Sequence, residues 1–71
     1  MLYQVARKKA AEMALKHHCR VFVNATLTKA WHDGYMMPTV DHTAYRLSYW
    51  DHGATVALFG PDGRELPLHP K

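Results

Sequence analysis

The chain has 71 residues, one cysteine, 48% hydrophobic residues and a formal charge of +3 with its six histidines neutral. At ~100–150 residues for a typical domain, 1–71 is read as a single small domain with a thin core. A lone cysteine excludes an internal disulfide. No apolar run approaches the ~20 residues of a membrane span, and the positive charge excludes an acidic DNA mimic. Met1 to Lys9 carries charge with no apolar signal core behind it, which predicts a cytoplasmic protein with no membrane association.

Residues 2–18 contain neither Gly nor Pro and are rich in Ala, Lys, Met and Leu, so a helix is expected over about 2–18. At ~100° per residue, Leu2, Tyr3, Ala6, Ala10, Met13, Ala14 and His17 share one broad face. Lys8, Glu12 and Lys16 lie opposite, and the three inner alanines would let the helix lie close against a sheet.

From Arg20 the period changes to two. Val21, Val23, Ala25 and Leu27 alternate with Phe22, Asn24, Thr26 and Thr28, and Trp31 continues the odd-numbered face. One strand is therefore expected over about 20–31. His32-Asp33-Gly34 follows as a polar turn whose glycine can take positive φ. A second strand over 35–40 contains Pro38, which fits an edge or a bulge. Asp41-His42 turns the chain into a strand over 44–50, and Asp51-His52-Gly53 turns it again into 54–59. Gly60-Pro61-Asp62-Gly63 has the residue order of a type I turn, and a short strand over 64–68 closes the chain. The expected fold is α+β: one N-terminal helix packed on a small, twisted antiparallel meander of about five strands.

Three histidines adjoin an aspartate: His32-Asp33, Asp41-His42 and Asp51-His52. Imidazole and carboxylate suit a transition metal, but each pair sits where a turn is expected and neighbouring side chains diverge. No metal and no other cofactor is expected. His17-His18-Cys19 at the helix end could activate a thiol, yet successive helix residues do not face each other. Cys19 is better read as a small residue packed at the helix–strand junction. No catalytic triad or phosphate-binding loop is present, so an enzyme is not expected.

Two surfaces remain. Arg7, Lys8, Lys9 and Lys16 could dock phosphates from the helix, the basis of an alternative reading as a small basic nucleic-acid-binding domain. The second surface is aromatic. One helix covers one sheet face, yet large apolar residues occur on both strand faces, and Tyr, Trp and Arg dominate interface hot spots. Tyr35, Tyr45, Arg46, Tyr49 and Trp50 are the candidate partner-binding residues. Arg46, Ser48 and Trp50 share one face and Tyr45, Leu47 and Tyr49 the other, with the Arg46 face expected outward because arginine is rarely buried unpaired. The favoured function is a small non-enzymatic effector that binds a larger protein or nucleoprotein complex and occludes a working surface stoichiometrically. A phage or mobile-element inhibitor of a host nuclease or polymerase complex, of the anti-CRISPR kind, is one form this would take.

Overall fold

A computed structural model describes residues 1–51 and 53–68. His52 of the third histidine–aspartate pair and the last three residues of the tail lie outside them. The first element, α1 (Tyr3–His17), buries Ala6, Ala10 and Ala14 completely. Residues four apart stack on one helix face, so these three form the stripe expected from the sequence. Tyr3 and Met13 flank it against the core. Leu2 is exposed because it is the N-cap, in extended conformation before the first turn. His17 is exposed too, and His18 ends the helix in a left-handed conformation (φ 52°) with its N–H on the Ala14 carbonyl. Lys16 and His17 in the last turn complement the helix dipole.

Six strands follow: β1 (Val21–Asn24), β2 (Leu27–His32), β3 (Tyr35–Val40), β4 (Arg46–Ser48), β5 (Thr55–Phe59) and β6 (Glu65–Leu66). The architecture is α+β with antiparallel sheets and an N-terminal helix. The strand order corrects the meander: one sheet runs β4-β1-β5-β6, and β2 pairs only with β3 in a separate two-stranded sheet. β1 lies between β4 and β5, so its sequence neighbour β2 is not its spatial neighbour.

The expected strand over 20–31 is in fact two. The register against β5 shifts between Val23 and Asn24. Beyond it the Ala25 N–H turns to the Ala54 carbonyl, and the Thr26 carbonyl accepts from the Asp41 N–H. These bonds divert the chain out of the sheet, and period-two alternation passes through the break unaltered. The expected strand over 44–50 shrinks to β4. Tyr45 is used earlier, exchanging backbone hydrogen bonds with Met1, and Ser48 bends the chain by donating from Oγ to the Trp50 carbonyl at 2.7 Å.

The core is one-sided. Val21, Val23, Ala57 and Phe59 face the alanine stripe of α1, with Tyr45 against Tyr3 at one end (ring centroids 5.0 Å apart). On the outer face, β-partners Leu58 and Leu66 lie beside Phe22 and Leu68, so the tail covers part of the surface the helix cannot reach. Arg7 of α1 pairs with Glu65 of β6, fastening the helix to the far edge of the sheet.

The turns follow local chemistry. Asp33 (φ 50°) and Gly34 (φ 81°) both take positive φ, the requirement of a two-residue type I′ hairpin. The Gly63 N–H bonds the Gly60 carbonyl at 2.8 Å and Gly63 has φ 78°, a type I turn closed by a left-handed glycine. Asp41, Asp51 and Asp62 each accept from the backbone N–H two residues on, at Thr43, Gly53 and Arg64. These Asx turns explain the aspartates of the second and third histidine–aspartate pairs without any ligand. At Asp41 the Thr43 hydroxyl, and after it the Thr43 N–H, holds the carboxyl below its ordinary value.

Because Ala10 is fully buried against the core, Ala10→Leu should lower stability by roughly 1–3 kcal/mol in urea denaturation. The control Lys9→Leu, on an exposed position, should stay within about 0.5 kcal/mol.

Candidate protein-interaction surface

Beside β4, an edge strand of the main sheet, lies an open cleft of about 640 Å³. Arg46, Leu47 and Ser48 form one wall, Tyr49 and Trp50 a second, and Met13 of α1 with Asn24, Ala25, Thr26 and Ala54 the remainder. Trp50 is 61% exposed and Tyr49 about half exposed. Tyr49 meets the His17 ring edge-on, centroids 6.4 Å apart, which ties this wall to the helix C-terminus. Arg46 is exposed, and among the described residues its guanidinium has no hydrogen bond or ion pair.

A buried polar network shapes the cleft. Asn24 is 5% exposed on β1, and a buried amide without partners would cost about 1–3 kcal/mol. Its Nδ2 donates to Ser48 Oγ at 2.7 Å. The Thr55 hydroxyl lies 2.9 Å from Asn24 Oδ1 and 2.7 Å from Asp51 Oδ1, its single hydrogen shared between them. Ser48 in turn donates to the Trp50 carbonyl. The chain Asn24–Ser48–Trp50 thus runs from the sheet interior to the rim of the cleft and fixes the backbone that carries Trp50. Sequence reasoning passed over Asn24; an Asn within an apolar alternating run was the available signal.

Of the five candidate residues, the cleft brings together Arg46, Tyr49 and Trp50. Tyr45 leaves the set. It is 7% exposed and packed in the core, with its hydroxyl 3.1 Å from His42 Nδ1. Period two puts Tyr45 and Leu47 on the helix side, and the Met1 pairing completes its burial. Tyr35 is 73% exposed but lies at the tip of the β2–β3 hairpin, opposite His32 and apart from the cleft.

On the helix, Lys8, Lys9 and Lys16 are exposed, whereas Arg7 pairs with Glu65 and lies over the Tyr3 ring, 5.7 Å from its centroid. The expected basic set therefore loses one member to an internal ion pair. Cys19 is half-buried and packed against the core. Among the described residues no group of three or more His, Cys, Asp or Glu is placed to hold a metal ion, and no helix is long and apolar enough to cross a membrane. No protein-family model, curated protein or solved structure matches the chain.

Ser48→Ala removes both the acceptor of the buried Asn24 amide and the donor to the Trp50 carbonyl. Stability should fall by roughly 1–3 kcal/mol in thermal or urea melts. An unchanged melt would show that the network is not formed in solution.

Proposed function

We propose that this protein acts without catalysis, by a stoichiometric contact in which the cleft beside β4 grips a larger protein. The observation that carries the reading is the exposure of Arg46 and Trp50 on one cleft whose lining is mostly apolar. Arg, Trp and Tyr are the residue types that most often supply hot-spot energy, ~2 kcal/mol or more each when buried at an interface centre. The guanidinium supplies a donor fork for a carboxylate on the partner, and Trp50 a rigid surface that a partner side chain can cover. Inhibition of a nuclease or polymerase complex of the anti-CRISPR kind is one form such occlusion would take; its support is chain size alone.

The test is capture from a lysate of the source organism after nuclease treatment. Wild type should retain a partner at fixed stoichiometry. Arg46→Glu with Trp50→Ala should lose it while melting within a degree or two of wild type, whereas Tyr45→Ala should melt earlier and mark the residue that belongs to the core. Lys8→Glu, Lys9→Glu and Lys16→Glu together should leave capture intact. If the lysine variant loses a nuclease-sensitive partner and the cleft variant keeps it, the helix is the binding surface and the nucleic-acid reading replaces this one.

A further inference from the structure

The β2–β3 hairpin stands apart from the rest of the protein. Among the described residues its strands pack on each other, and on no helix or other strand beyond a marginal touch; of its residues only Val40 at its base joins the core. Every residue from Leu27 to Thr39 is exposed, Trp31 at 71% and Tyr35 at 73%. Six residues at ~3.4 Å each make an arm about 20 Å long, which accounts for the elongated 46 × 28 × 15 Å outline. A lone two-stranded hairpin is marginally stable in water; three or more strands with an apolar face are needed.

The two edges of this arm differ. In a two-residue hairpin, His32 and Tyr35 flank the turn and exchange backbone hydrogen bonds, so alternation leaves Leu27, Lys29 and Trp31 with N–H and C=O directed outward on the β2 edge. The corresponding outward positions on β3 are Met36, Pro38 and Val40, and Pro38 has no N–H to offer. One edge can continue a ladder and the other is blunted.

We propose that the occupant of the β2 edge is β2 of a second copy of this chain, giving a four-stranded sheet β3-β2-β2-β3 about a two-fold axis. A two-fold contact needs one self-complementary edge, and the blunted β3 edge ends the sheet at two copies. Charge selects the register. Setting Lys29 opposite Lys29 would oppose like charges. Shifting the axis to Ala30 sets each Lys29 opposite the other copy's Trp31, a cation over an aromatic face, and moves the two lysines from directly opposite to diagonal positions, with the other copy's Asp33 on the other diagonal. Leu27 and Trp31, both exposed, flank the joint in each copy, and the ladder's hydrogen bonds add to their contact. With Lys29 balanced by Asp33, the arm has no basic excess with which to grip a nucleic acid.

The contact is separate from the cleft beside β4, and the experiment keeps the two distinguishable. Molar mass is measured by light scattering and sedimentation for the full chain over a wide concentration range reaching millimolar. Wild type should move from one to two copies and no further. Lys29→Pro removes one outward N–H and the charge while sparing the bonds within the hairpin, so its mass should stay at one copy with an unchanged melting curve. Should Lys29→Pro fail to fold, Trp31→Ser reads the same contact through its side chain and should weaken self-association at least tenfold. Arg46→Glu with Trp50→Ala should dimerise like wild type. A wild type that stays monomeric to millimolar, a Lys29→Pro protein that still dimerises, or a cleft variant that alone abolishes the dimer would each overturn the proposal.

Discussion

The contact between the alanine stripe of α1 and the centre of the sheet is the constraint on which the rest of the structure depends. Ala6, Ala10 and Ala14 bring the helix close enough for Val21, Val23, Ala57 and Phe59 to be buried beneath it. Small side chains give close approach at the expense of buried area, and a chain of this length has little area to spare. The consequence is a core with one side. β1 and β5 lie under the helix, β4 and β6 at the margins, and nothing of the core is left to support β2 and β3. The hairpin leaves the sheet at Ala25 and Thr26, rejoins it after Asp41, and carries its apolar residues into solvent.

The same shortage explains the buried amide. Where the register slips at the end of β1, Asn24 occupies an interior position that backbone pairing leaves irregular. Its side chain takes over the bridging, to Ser48 on β4 and Thr55 on β5. A satisfied polar network holds its members to one arrangement, since each unsatisfied group would be costly. Here it holds the bend after β4, where Trp50 leaves the sheet. Core and cleft are connected through the Asn24 and Ser48 side chains, so the shape of the surface depends on the register of the interior.

Features set by neighbours in sequence were legible. The helix, its alanine face, the Asp33-Gly34 and Gly60–Gly63 turns and the 35–40 strand follow from propensity and turn chemistry, and the outward face of Arg46 from simple alternation. Features set by distant partners were not. Alternation from Val21 to Trp31 is interrupted only at Lys29, yet the strand parts at Ala25 because Ala54 and Asp41 claim its backbone groups. Tyr45 resembles Tyr49 in sequence and is separated from it by pairing with Met1. The expectation that successive strands pair failed at β1, whose partners arrive 22 and more residues later. The candidate site divided along the same line: Arg46, Tyr49 and Trp50 come together because they are close in sequence, and Tyr35 parts from them because its strand belongs to the arm.

Native-state hydrogen exchange, followed amide by amide in dilute solution, tests most directly whether the alanine-packed body and the hairpin are energetically separate. Amides of β1 and β5 should open only with global unfolding, whereas those of β2 and β3 should exchange through a far cheaper local opening. Equal protection of the hairpin and β1 in dilute monomer would contradict a core that ends at the sheet.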